Sequence, residues 1–196
     1  MRFTKKEKSI IKVIVEESLD NFIFDGLKRK TGLHQQTLSR TLASLEDAGV
    51  IIKAPEGYKV SEGMKENFIT LLSSKSSPSS SSTSMPVTIP LIQTILPMDV
   101  DLMQILPGLQ GKWFGSLRWF GLSKTESSIT LKWLTEDGKI QIEALFSDSS
   151  LSIAAKLCNG DDDNDNKDPN NDAIKMSHQL MEQIIKLYSK QSNAIL

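Results

Sequence analysis

From Ile10 onward the apolar residues recur on one side of a helical repeat: Ile10, Ile11, Val13, Ile14, Val15 and, a turn later, Leu19, with Lys8, Lys12, Glu16 and Glu17 opposite. The preceding Thr4-Lys5-Lys6-Glu7 has the form of a capping box, whose hydroxyl and carboxylate satisfy the open amides at a helix start. Asp20-Asn21 interrupts the pattern, and Phe22-Ile23-Phe24 leads into a second, short helix over about residues 25–31, with Leu27 inward and Lys28-Arg29-Lys30 in solvent. Gly32 marks a tight turn. A third helix follows over about residues 35–48, its Leu38, Leu42 and Leu45 on one face and Gly49 as its stop. The opposite face carries Gln35, Gln36, Thr37, Ser39, Arg40 and Ser44.

After Gly49 the period changes to two. Val50-Ile51-Ile52-Lys53 and Tyr58-Lys59-Val60-Ser61 read as strands around the turn Ala54-Pro55-Glu56-Gly57, a small hairpin. Ser61-Glu62-Gly63-Met64 opens a further helix whose Met64, Phe68, Leu71 and Leu72 return to the core, which closes a first domain at residues 1–72. Nine of the twelve residues 73–84 are serine. Such a run buries no apolar surface and predicts a flexible linker over 73–86, about 20 Å long on average as a coil.

A second domain is expected over residues 87–196. Runs at 113–120, 129–134, 140–146 and 151–157 alternate with near period two, with Glu136-Asp137-Gly138-Lys139 as a strong turn and Ser147-Asp148-Ser149-Ser150 as a weaker one, so a four-stranded antiparallel meander is predicted. Asp172 is placed to cap a final helix with Ile174, Leu180, Met181, Ile184, Ile185, Leu187 and Tyr188 on its apolar face. Prolines fragment residues 86–109, and no element is assigned there. The expected class is α+β: an N-terminal helical domain with a hairpin, a linker, and a C-terminal meander with a terminal helix.

Composition adjusts this picture only slightly. The chain has 196 residues, 39% hydrophobic and 24% charged, as in ordinary globular domains. The net charge of −1 divides unevenly: residues 1–72 hold 12 Lys and Arg against 10 Asp and Glu, the remainder 11 against 14. So mild an excess leaves any nucleic-acid contact to local clusters such as Lys28-Arg29-Lys30. The single cysteine, Cys158, builds neither a disulfide framework nor a cysteine zinc site within one chain, which suits a reducing cytoplasm. The N-terminus has no signal-peptide core, and the most apolar stretch, 87–109, is broken by Pro90, Pro97, Asp99, Asp101 and Pro107, so no membrane association is expected.

Several residues invite a chemical reading. Asp161, Asp163, Asp165 and Asp172 occupy positions one, three, five and twelve of a calcium loop, but Asn166 and Asp168 stand where glycine and an apolar residue belong, and a solvated acidic loop fits better. Cys158 has only Lys156 near it in sequence to lower its pKa and reads as a plain strand-end thiol. Trp113, Trp119 and Trp133 read as sheet core, with a small-molecule effector pocket as the alternative. His34 and His178 lie in different domains; with no glycine-rich phosphate loop or nucleophile elbow, neither catalysis nor a cofactor is expected.

Through "LKRKTGLHQQTLSRTLASLEDAGVI" and the following "KAPEGYKVSE", residues 4–72 resemble the winged helix-turn-helix domain of prokaryotic transcription regulators, the broad group of MarR-, ArsR- and Lrp-type proteins. The resemblance covers about a third of the chain. It implies sequence-specific binding of double-stranded DNA, with Gln35, Gln36, Thr37, Ser39, Arg40 and Ser44 at recognition positions in the major groove. It also implies backbone contacts from Lys53 and Lys59 on the wing. Lys28, Arg29 and His34 add phosphate-facing groups from the preceding helix and turn. Where many wings of that group carry a tip arginine, this one has Ala54-Pro55-Glu56-Gly57. A homodimer on a palindromic site is the expected remedy for so little basic charge. The alternative is a protein-interaction adaptor that uses the same surfaces for docking.

Overall fold

A computed structural model describes residues 3–64, 88–96, 102–147, 149–157 and 169–192, with residues 191 and 192 as backbone only. These residues form a mixture of helices and antiparallel strands arranged in two compact units. One comprises the residues up to Met64 together with Gly121–Ser123; the other begins at Thr88 and omits that triplet. The return of three residues from beyond position 120 to the first unit is not visible in a boundary drawn at residue 72. Among the described residues no helix is long and apolar enough to cross a membrane.

The first unit opens with helix α1 (Lys5–Glu16) and the expected capping box: the Thr4 hydroxyl accepts the Glu7 amide at 3.3 Å, and the Glu7 carboxylate accepts the Thr4 amide at 2.6 Å. Ile10, Ile11 and Ile14 are buried, as their spacing dictates. Where the sequence marks a break at Asp20-Asn21 and a lead-in from Phe22, Asn21–Phe22 is a two-residue strand β1. Two residues are too few to show a period. Helix α2 (Phe24–Thr31) stops at Gly32, whose φ of 64° suits a left-handed cap. Lys30 is not solvated as expected; its ammonium lies 2.9 Å from the Glu17 carboxylate. Helix α3 (Gln35–Asp47) buries Leu38, Thr41, Leu42 and Leu45, and the chain turns at Gly49 with φ of 70°.

Strands β2 (Ile51–Ala54) and β3 (Gly57–Val60) form the hairpin, with Ile51 opposite Val60 and Ala54 opposite Gly57 across the turn Pro55-Glu56. Strand β1 joins it, Asn21 against Lys59 and Phe22 against Tyr58, whose rings stack at 5.7 Å. On its other edge β1 pairs with Leu122 and Gly121. The helix expected from Ser61 to residue 72, beyond its first residue Met64, and the linker 73–86 lie outside the described residues.

In the second unit, strands β4 (Thr88–Ile95), β5 (Arg118–Lys124), β6 (Ser128–Leu134), β7 (Ile140–Ser147) and β8 (Ser150–Leu157) run in the order β5-β6-β7-β8-β4. The four-strand meander is therefore extended by β4, which pairs with β8 and carries a bulge between Pro90 and Ile92. The first meander strand starts at Arg118, not at 113. Phe114 and Leu117 instead bridge to each other around Gly115, whose φ is 57°. Helix α4 (Leu102–Leu109) occupies part of the region left unassigned, with Pro107 inside it. Trp119 and Trp133 are core residues meeting edge to face at 5.4 Å, and the Trp133 ring N–H donates to the Lys112 carbonyl. Trp113 is not core but surface, under the Arg118 guanidinium at 4.6 Å.

The terminal helix α5 (Pro169–Ser192) starts three residues before the expected Asp172 cap. Its core face is Ala173, Ser177, Leu180, Ile184 and Tyr188. The sequence reading centred that face too far round, because two small residues, an alanine and a serine bonded to the Ala173 carbonyl, mark its middle. Ile174 and Ile185 consequently lie in solvent. On the sheet face opposite that of Leu131 and Trp133, one oxygen of Glu143 accepts from Lys132 at 3.1 Å, Lys156 at 2.7 Å and Gln141 at 2.7 Å. Burial pushes the Glu143 carboxyl up, but the two ammonium groups outweigh it and hold the group below its usual range. Cys158 and the acidic run 161–168 lie outside the described residues.

Gly57 sits at φ of 130°, and a Cβ there would strike the Phe22 carbonyl of β1. Gly63, at φ of 79°, has open space around that position. Gly57→Ala is expected to lower the urea midpoint of the first unit by the equivalent of about 1–3 kcal/mol. Gly63→Ala should lower it less, because it adds strain without a clash.

Candidate nucleic-acid interface

The turn between α2 and α3 forms an open depression of about 750 Å³ lined by Lys28, Gly32, Leu33, His34, Gln35, Gln36, Ser39 and Arg40. Its shape follows from local chemistry. Gly32, in the left-handed region, reverses the chain within two residues of the last turn of α2, and its amide closes on the Lys28 carbonyl at 2.9 Å. His34 then caps α3, its ring Nδ1 accepting the Gln36 amide at 3.4 Å. A neutral His34 that accepts at Nδ1 carries its proton on Nε2, the one donor of the ring. The first turn of α3 contains no acidic residue, so the partial positive charge of the helix start is not offset there.

Six of the residues expected from sequence meet in this depression: Lys28, His34, Gln35, Gln36, Ser39 and Arg40. The rest are distributed differently. Arg29 is half-buried and lies outside the lining, and Thr37 is half-buried with its carbonyl accepting the Thr41 hydroxyl. Lys53 and Lys59 are exposed on the hairpin, where Asn21, Pro55, Glu56, Tyr58 and Lys59 help line a separate depression of about 180 Å³. Lys59 stands 3.9 Å from Glu62. Burial, and then the charge of Glu46, push the Tyr58 phenol up. Among the described residues no group of three or more His, Cys, Asp or Glu side chains could hold a metal ion.

Ser44 is exposed and has a partner within the unit. Its hydroxyl donates to Glu7 Oε1 at 2.6 Å, so it ties α3 to the first turn of α1. Gly32 was expected here as the turn, but Leu33 and Glu7 were not singled out by sequence for this region. The glycine carries a signal in its helix-stop position, whereas nothing local to Glu7 announces a partner 37 residues away.

The Ser44 hydroxyl first, then the Thr4 amide and hydroxyl, hold the Glu7 carboxyl below the usual glutamate range, against the opposing effect of burial. A depressed folded pKa contributes stability above the unfolded value of about 4.3, and that contribution is lost as pH falls through the folded value. Ser44→Ala should therefore raise the Glu7 pKa, read by carbon-detected NMR titration. It should also shift the acid-unfolding midpoint of the first unit to higher pH, with wild type and variant converging once the carboxyl is protonated in both.

No family model, no curated protein and no solved structure matches this chain.

Proposed function

We propose that the first unit is a winged helix-turn-helix that binds double-stranded DNA with α3 in the major groove, and that the protein acts as a transcription regulator. The observation carrying this reading is the convergence of Lys28, His34, Gln35, Gln36, Ser39 and Arg40 on one open surface at the start of a solvent-facing helix. The element order supports it as well: three helices with a short strand after the first, then a hairpin to which that strand pairs. At 13 residues α3 is about 20 Å long, and the major groove is about 12 Å wide.

Roles follow from reach and chemistry. Lys28, His34 and the open amides at the start of α3 meet phosphates and set the register of the helix on the duplex. Gln36, Ser39 and Arg40, farther along the exposed face, read base edges; Arg40 has the fork geometry for a guanine. Lys53 and Lys59 on the hairpin contact backbone to one side. The tip, Pro55-Glu56, brings a carboxylate and not a cation, so the hairpin does not enter the minor groove. The Glu7–Ser44 bond fixes how far α3 projects from α1.

Arg40→Ala, with its fold retained by circular dichroism, is expected to abolish sequence-specific shifts of fragments selected from genomic DNA, a loss of about 1–3 kcal/mol at one base pair. On random duplex DNA the wild-type affinity should fall steeply with salt in fluorescence anisotropy, and Lys28→Ala should flatten that slope by about one unit. No binding at low salt would overturn the proposal in favour of a protein-docking surface.

A further inference from the structure

Helix α5 presents a second stripe that the core does not use. Ile174 and Ile185 are 44% and 49% exposed, His178 is exposed and Met181 is half-buried between them. The spacing 174, 178, 181, 185 alternates four and three residues, the repeat by which one helix packs along another. The stripe adjoins the buried row Ala173, Ser177, Leu180, Ile184 and Tyr188, so one flank belongs to the unit's own core. The other flank carries two exposed charges, Lys175 and Glu182.

We propose that this stripe is the contact between two copies of the chain, with α5 pairing antiparallel to α5 of the second copy about a two-fold axis lying between His178 and Met181. The occupant is argued from self-complementarity. Antiparallel pairing sets Ile174 against Ile185 of the second copy and His178 against its Met181, so four layers close with one aliphatic pair at each end. The same register brings Lys175 beside Glu182 of the second copy, and the symmetry repeats that pair. A parallel two-fold arrangement would put the charged flanks of the two copies on opposite sides of the contact, where neither lysine–glutamate pair forms. The proposal does not rest on DNA binding by α3, although a two-fold pair would present two such helices to a palindromic site.

Four layers on one helix make an interface below the usual size, so the dimer forms weakly, at about 10–100 µM chain. Sedimentation equilibrium of the full chain over about 5–500 µM should show a reversible monomer–dimer transition. Ile174→Glu with Ile185→Glu should leave a monomer throughout, with unchanged circular dichroism because both side chains face solvent. Lys175→Glu and Glu182→Lys should each weaken self-association about tenfold, whereas an equimolar mixture of the two should pair at least as tightly as wild type, since of the dimers in that mixture only the mixed one makes two opposite-charge pairs. A wild-type chain that stays monomeric at 500 µM would overturn the proposal. So would a dimer that ignores the glutamate substitutions, or a mixture no tighter than its components.

Discussion

The first unit depends on a strand of two residues. Asn21 and Phe22 pair with strand β3 of the hairpin on one edge and with Leu122 and Gly121 on the other, so three backbone segments are held through two positions. Such an arrangement tolerates no side chain where the neighbouring backbones come closest, and glycine stands at both places, Gly57 and Gly121. Because β1 sits between α1 and α2, fixing it also fixes the exit of one helix and the entry of the next. The stacked rings of Phe22 and Tyr58 then connect this strand to the hairpin that follows α3.

A single carboxylate performs the matching task among the helices. Glu7 closes the cap of α1 with one oxygen and receives the Ser44 hydroxyl on the other. A side chain that would ordinarily stabilise one helix end thus also ties two helices together, through a serine at the edge of the exposed face of α3. The depression beside Gly32 is the product: a left-handed glycine reverses the chain, a histidine caps the next helix, and the polar residues of the first two turns face outward together.

Much of this was legible in the sequence wherever structure is local. The α1 cap, the leucine face of α3, the stops at Gly32 and Gly49 and the Pro55-Glu56 turn are each written in a few consecutive residues, and each stands within a residue or two of its expected place. What stayed hidden required partners remote in sequence. Strand β1 has no period to reveal it, Ser44 finds Glu7 across 37 residues, and β4, broken by Pro90, shows itself only through its pairing with β8. The face of α5 was misjudged for another reason. Its isoleucines outweighed Ala173 and Ser177 in the hydrophobic pattern, yet close helix packing selected the small residues and left Ile174 and Ile185 outside.

Pro90 has a bearing on the company the molecule keeps. It lies in β4, the terminal strand in the order of the second unit, beside a bulge and with Ile95 82% exposed at the strand end. An outer strand this apolar is a template on which foreign strands add and sheets grow without limit. A proline supplies no amide hydrogen, and a bulge breaks the even spacing of donors and acceptors that a docking strand would need. Open-ended growth along the sheet is thereby discouraged, and association is left to side-chain surfaces that close on themselves.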